Sequence, residues 1–459
     1  MGSVTRLIVW ALTAAQALRA TYGREITNMV WLFADRFLRV LANFAIGIAA
    51  ARLLGPVDYG DISYTQTILT FLTLLAAAGL NGVVVKRLID QPSDAEATLG
   101  TAFALQALAG TAAGVITAAL ALTGGNATRH ALLIAIVACG VALRPSEVYR
   151  YWFEANVNAR RAVIADNIGF LVSGSIKIVI LYRYRSVEAF VWTMVIEQLL
   201  GAVCLYVAYR TDPSRPHRWR VDGKLGLQLL RQAWPLLLSG IAVALYMRID
   251  QFVIMKLRGP GETGIYAAAV RLSEMFYVLP TIVATSFFPR WQSLIGDPVR
   301  HRAMVQSTMA GMIGGCVIIC LVVTLLAGFI VPALYGARFA AAVPVLIVHV
   351  WTSVFVSMGV LGNQWYLSHG LQGRTLAFTL IGAGCNLLTN CLLVPYWGAL
   401  GAAIASVVAQ IVSTFAADAL SARTRPLFLI KVDAIFWPAR LIFRGLRPRP
   451  PTELRHDGT

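Results

Sequence analysis

Charge is scarce in this sequence. Of its 459 residues 58% are hydrophobic and only 13% are Asp, Glu, Lys or Arg. A water-soluble domain carries about 25% charged residues, so this chain cannot cover an ordinary aqueous surface. Its six cysteines, Cys139, Cys204, Cys316, Cys320, Cys385 and Cys391, form no C-x-x-C pair, and each falls inside an apolar run. That excludes a disulfide framework or a thiolate metal cluster and leaves small apolar residues of a core. The six histidines include no H-E-x-x-H, and there is no G-x-x-x-x-G-K-[ST] loop to cradle a nucleotide. No catalytic residue, metal ion or cofactor is expected, and the chain does not read as an enzyme. The net charge of +17 would point a soluble protein to nucleic acid. Here the placement of the charges gives another reason for it, and no nucleic-acid partner is expected.

Long apolar runs are present instead. Residues 311–334 hold no charged residue. A run of 18 or more apolar residues is long enough to cross a bilayer as a helix. One such run could be a buried core helix; a dozen cannot. Spans are expected near 28–50, 62–85, 98–123, 130–150, 166–184, 187–209, 233–257, 264–289, 304–334, 340–367, 375–394 and 399–420. The fold class is therefore an all-α integral membrane protein of about twelve transmembrane helices. Lys and Arg set the orientation. With the first residue inside, 27 of the 39 fall on inner segments and 7 on outer segments or span ends. Both termini are therefore expected in the cytoplasm.

The loop after the first span reads Gly55-Pro56-Val57-Asp58-Tyr59-Gly60, and the loop after the seventh reads Gly259-Pro260-Gly261-Glu262-Thr263-Gly264. The two lie 204 positions apart, each after the first helix of six. Six is even, so this is a parallel repeat of two six-helix lobes, with a substrate cavity expected between them. The domains are then an N-terminal cytoplasmic or interfacial segment (1–27), an N-lobe (28–210), a basic cytoplasmic linker (211–232), a C-lobe (233–422) and a basic tail (423–459). In the tail, Phe428, Val432, Ile435, Phe436, Ala439 and Phe443 form one helical stripe. With Lys431 and the neighbouring arginines, the tail is expected to lie on an anionic leaflet.

Ionisable residues at membrane depth cost about 2.5–3.5 kcal/mol each, so they are the functional candidates. The first span holds Asp35, Arg36 and Arg39; the seventh, Arg248 and Asp250; the eighth, Arg271 and Glu274. Lys177 and Glu197 lie in the fifth and sixth. Ion pairing that only fixes helix packing remains the alternative. The balance favours arginine, whose planar fork meets phosphate oxygens bidentately. At the end of the fourth span Arg144, Glu147, Arg150 and Glu154 share one helical face, either as a solvated ion-pair ladder or as a gate between the lobes. The run Asn363-Gln364-Trp365-Tyr366 gathers amides and aromatics that suit either a sugar or packing.

The stretches Trp31-Leu32-Phe33-Ala34-Asp35-Arg36 and Arg52-Leu53-Leu54-Gly55-Pro56-Val57-Asp58-Tyr59-Gly60 resemble the opening of Wzx-type polysaccharide flippases of the MOP (MATE-like) superfamily. Ala77-Ala78-Gly79-Leu80-Asn81-Gly82-Val83-Val84-Val85-Lys86-Arg87 does so too. Arg248-Ile249-Asp250 and Gly264-Ile265-Tyr266 through Arg271-Leu272-Ser273-Glu274 are similar to that family's seventh and eighth helices. The resemblance implies a MATE-like fold and alternating-access transport of undecaprenyl-diphosphate-linked oligosaccharide repeat units across the bacterial cytoplasmic membrane, for O-antigen, capsule or exopolysaccharide synthesis. It implies Arg36, Arg39, Arg248 and Arg271 as cavity cations, and Asp35 and Asp250 as their partners or as coupling acids. Membrane lipids, a polysaccharide polymerase and a chain-length regulator are the other expected partners. A MATE-type drug/cation antiporter and a lipid II flippase are the alternatives. The first would favour a cavity of acids and aromatics, the second fourteen spans.

Overall fold

The computed structural model describes residues 39–123, 129–156 and 158–445. The expectations for residues 1–38, which include Asp35, Arg36 and the N-terminal segment, and for the tail beyond 445 fall outside the described residues. The chain divides into two compact units, Met1–Ala49 and Ala50–Thr459. Residues 39–54 are helical (α1), and Arg39 stands at the start of the described part. The rest runs α2 (Pro56–Ala77), α3 (Leu80–Asp90), α4 (Ala95–Thr123), α5 (Arg129–Val141), α6 (Glu147–Ala155), α7 (Ala159–Arg183), α8 (Val187–Arg210), α9 (Gly223–Arg258), α10 (Pro260–Glu274), α11 (Val278–Ser293), α12 (Pro298–Tyr335), α13 (Ala342–His349), α14 (Thr352–Ser368), α15 (Gln372–Thr414) and α16 (Arg425–Gly445). No strand occurs among the described residues.

Ten helical stretches among these residues are long and apolar enough to span a membrane. One of them, Gln372–Leu420, is 49 residues long. It breaks at Gly398 (φ 54°, ψ −131°), so it holds two spans. That makes eleven among the described residues; the first expected span, 28–50, is described only from residue 39, as α1. Four spans are interrupted rather than straight. Ala78 and Gly79 part α2 from α3, and a 3₁₀ turn at Arg144–Ser146, carrying Pro145, parts α5 from α6. Met275–Tyr277 parts α10 from α11, and residues 350–351 part α13 from α14. Beside the buried core, many large apolar side chains point outward, as a lipid solvent allows: Leu325 is 83% exposed and Phe329 73%.

α2 and α10 start identically. In each a Gly with φ near +85° precedes a Pro at the first helical position, and an acid (Asp58 or Glu262) sits in the first turn, against the positive end of the helix dipole. These starts meet at one end of the molecule, the Gly-Pro end. A Cβ on Gly60 would stand 1.8 Å from the Pro260 carbonyl oxygen, and one on Gly264 would stand 1.9 Å from that of Pro56. Only glycine permits this reciprocal backbone approach, and it joins the two halves of the repeat.

At the opposite end, the linker between the halves is anchored. Irregular chain covers only 211–222; the expected linker over 211–232 is helical from Gly223, where Asp222 caps α9 by accepting from the Lys224 and Leu225 amides at 2.8 and 3.2 Å. Trp219 packs edge-on against Phe103 and Tyr209 and beside Tyr149, and its indole donates to the Tyr209 hydroxyl at 2.9 Å. The Arg218 amide donates to Glu96 and the Asp222 amide to Thr101. Burial pushes the Asp212 carboxyl up, but hydrogen bonds from the Ser214 hydroxyl and amide, with the Arg161 charge, outweigh it and hold that carboxyl below the ordinary range.

The tail departs from expectation. α16 packs against α12; its Leu427, Ile430, Lys431 and Ala434 are buried, and Leu427 and Lys431 lie beside Gly362 of α14. Of the stripe read as membrane-facing, Ile435 and Phe436 are exposed, while Phe428 packs against Phe415 at 5.1 Å. Lys431 does not join a basic surface. It is 1% exposed and donates to Asp418 at 2.7 Å and to the Thr414 carbonyl at 2.6 Å. Asp418 also accepts from the Tyr366 hydroxyl. A buried acid supplied by the preceding 3₁₀ turn draws the lysine inward.

Candidate functional site

On a helix, residues two apart point in nearly opposite directions. Arg248 and Asp250 of α9 do so, and each finds a different neighbour. Arg248 meets Glu274 of α10 at 3.1 Å. Asp250, 3% exposed, turns toward α15. Its Oδ2 accepts from the Tyr266 hydroxyl at 2.5 Å and from Ser406 at 2.8 Å, and its Oδ1 accepts from the Asn390 amide at 2.6 Å. Asn390 also donates to Asn386, which donates in turn to the Tyr246 carbonyl. The expectation of Asp250 as the partner of an arginine is therefore corrected. No cation pairs with it among the described residues, because its helix face looks away from Arg248. The group borders a small polar cavity lined also by Tyr246, Glu274, Tyr277 and His349, with room for about one water molecule. His349 is itself fixed on Ser273 at 2.6 Å.

Arg271 and Glu274, three apart on α10, do not pair either, since Glu274 is engaged by Arg248. Arg271 instead crosses to the other half of the repeat and donates to the Tyr59 hydroxyl of α2 at 2.9 Å. A second bond joins the same two halves: Thr67 donates to Gln251 at 2.6 Å. Arg248, Asp250, Arg271 and Glu274 thus gather where α9 and α10 meet α2 and α15. Arg39 belongs to the first unit, and Asp35 and Arg36 are not among the described residues.

In the first half the charges pair with one another. Lys177 of α7 donates to Glu197 of α8. The expected ladder is only partly formed. Arg144 reaches Glu147 at 3.1 Å and Arg150 reaches Glu147 at 2.9 Å, but Arg150 then forks onto Asp166 of α7 at 2.7 and 2.9 Å. Glu154 enters no ion pair among the described residues. Pro145 puts Arg144 in a 3₁₀ turn, and Asp166 supplies a closer carboxylate than the next helical turn does. At the Gly-Pro end Arg129 bridges Asp58 at 2.8 Å and Glu188 at 3.0 Å, and His130 meets the buried Asp61 at 2.8 Å. Trp365 and Tyr366 are buried, Trp365 stacked on His369 at 3.9 Å, so these two pack, while Asn363 is exposed and accepts from Thr375 at 3.1 Å.

Sequence reading missed Tyr59, Tyr266, Ser406, Asn386 and Asn390. The two asparagines carried a signal: amides four apart in an apolar helix share a face and need a partner in the membrane. Tyr59 and Tyr266 carried none, since a tyrosine in an apolar run also reads as packing.

The fold is that of known transporters. It superposes on the lipid II flippase MurJ in an inward closed conformation with a TM-score of 0.72, at 12% identity, over 92% of this chain and 94% of that one. It superposes on an inward-facing multidrug resistance MATE family transporter of the MOP superfamily with a TM-score of 0.66, at 12% identity, over 88% and 96%. In sequence, a probable flippase, AglR, of Haloferax volcanii is 29% identical over 175 residues, which are 36% of this chain and 36% of that protein. The chain thus aligns with about a third of that relative's length. Residues 49–344, well over half of the chain, match the model of the polysaccharide biosynthesis protein family, and the chain accordingly belongs to that family, as a multi-pass membrane protein with the fold that MurJ and the MATE transporters share.

Proposed function

We propose that this protein flips undecaprenyl-diphosphate-linked oligosaccharide repeat units from the inner to the outer leaflet of a bacterial cytoplasmic membrane, as a transporter and not as an enzyme. The observation that carries the reading is Arg271. It is a guanidinium at membrane depth, at the join of the two halves, and among the described residues its one side-chain hydrogen bond is to a neutral phenol. A cation so placed costs energy unless an anion visits it, and a guanidinium offers five N–H donors in a fork that fits a diphosphate. The Lys and Arg excess on the linker side supports placing the Gly-Pro end outside and both termini in the cytoplasm. The head group enters between the halves from the linker side and leaves when the Gly60–Gly264 crossing parts, while the lipid tail stays in the bilayer. Asp250 is the coupling acid in this scheme. Neutral donors surround it, so it can take up a proton or a small cation without breaking an ion pair.

Complementation of a deletion strain, with membrane protein levels measured, tests the reading. Arg271→Ala should abolish flipping and leave insertion intact, and Arg271→Lys should restore only part, because Lys lacks the fork. Full complementation by Ala at Arg248 and Arg271 together would end the head-group hypothesis.

A further inference from the structure

We propose that Tyr59 is a positioning residue: its hydroxyl stands in for a phosphate oxygen on Arg271 while the Gly-Pro end is shut, and leaves when that end opens. The inference rests on the head-group reading above and assigns a residue which that reading does not require.

Four observations converge. Tyr59 is 1% exposed, its ring set edge-on against Phe339 at 6.1 Å, so its hydroxyl is held rather than free to swing. That hydroxyl lies 2.9 Å from Nη1 of Arg271, across the join between α2 and α10. No carboxylate pairs with Arg271 among the described residues, since Glu274, one turn on, is taken by Arg248. The next residue in the chain, Gly60, is in the backbone crossing with Gly264 that closes this end.

A phenol oxygen accepts a guanidinium hydrogen bond but brings no charge. It satisfies the donor geometry of Arg271 without neutralising it, so an anion can displace it with a net gain. Because Tyr59 and Gly60 are consecutive on one rigid helix, α2 cannot part from α10 without lifting the hydroxyl off Arg271. Closure of this end and occupation of Arg271 by Tyr59 are therefore one event. A diphosphate on Arg271 and a shut Gly-Pro end compete, which releases the head group only on the side where it is wanted.

The test uses a disulfide across the crossing. A Cβ on Gly261 would lie 3.7 Å from a methyl carbon of Val57, so Val57→Cys with Gly261→Cys can form a disulfide when the end is shut. The full chain, its native cysteines replaced by alanine, is oxidised mildly in membrane vesicles, and unreacted thiols are counted by maleimide labelling. Farnesyl diphosphate is the probe and farnesol its neutral control. The diphosphate should lower disulfide yield and farnesol should not. Tyr59→Phe keeps the ring and removes the hydroxyl. It should lower the yield severalfold without any probe, and shift the diphosphate midpoint about tenfold lower, the size expected for a hydrogen bond to a charged group. Arg271→Gln should keep a high yield and make it insensitive to diphosphate. Equal yields and midpoints in Tyr59→Phe and the parent, with diphosphate still acting on both, would overturn the role of Tyr59 and leave the head-group reading standing. No effect of diphosphate on the parent would overturn both.

Discussion

Asp418 and Asp250 are the same residue type, 1% and 3% exposed, and both accept from a tyrosine hydroxyl. They differ in what balances them. Asp418 faces the ammonium of Lys431, itself 1% exposed. Asp250 faces Tyr266, Ser406 and Asn390, none of which carries charge. An ion pair locks both partners into one charge state, because removing either leaves the other stranded. A ring of neutral donors holds its acid in place and leaves its charge free to change. The first arrangement suits a brace, the second a switch.

The comparison breaks most easily at the brace. Truncation after Ala422, or Lys431→Ala, strands a buried carboxylate and should cost about 3–5 kcal/mol. The loss would be read as a lower fraction of monodisperse protein after heating in detergent. Lys431→Met with Asp418→Asn should recover most of it. Unchanged thermal stability in the truncated chain would make the tail an appendage and the contrast empty. Breaking Lys177–Glu197 samples a second locked pair. Lys177 is buried and the Glu197 side chain is 35% exposed, so Glu197→Gln should cost less, about 1.5–3 kcal/mol in the same assay.

Asp250→Asn sharpens the other side. The amide keeps the shape and one acceptor, and the hydroxyls of Tyr266 and Ser406 can turn, so stability should change by no more than about 1 kcal/mol. Transport, in contrast, should lose its dependence on the ion gradient. A large stability loss with normal gradient dependence would assign Asp250 to the bracing class. The smallest effect concerns Asp212. Its carboxyl is depressed, so its contribution is fully present above the ordinary carboxylate range and is lost as pH falls through the lower, folded value. Protease protection of the linker should stay flat from pH 7 to about 5 and decline only below about 4. Asp212→Asn should remove that acid step.

Spans were legible in the sequence because hydropathy is a property of consecutive residues, and the Gly-Pro starts of α2 and α10 were legible because their turn chemistry recurs at a fixed offset. The pairings were not. Tyr59 and Arg271 are 212 positions apart, and nothing local in either segment names the other. Asp166 intercepted Arg150 from a different helix. The helical period does place Arg248 and Asp250 on opposite faces, but a list of charges hides that. Lys431 was misread because a lysine near a basic tail looks solvated, although Asp418 just before it, an acid within an apolar stretch, needed buried partners of some kind.

The anchored linker has a mechanical consequence. α9 is 36 residues long, about 54 Å at 1.5 Å per residue, against a hydrocarbon thickness of about 30 Å. Its first turns, at Leu225, Leu229 and Ala233, are buried in the core of the first half with Leu80, Val84 and Leu99, while Asp250 reaches α15 in the second. The boundary drawn by the repeat and the point at which α9 passes from the first half to the second therefore fall at different residues. α9 is one helix between those contacts, so rocking of the halves, as proposed above, would bend α9. Pro235 is the place for it, since it cannot donate to the Arg231 carbonyl one turn back. Spin labels at Leu227 and Val243, both on exposed faces, would read that curvature directly as a distance.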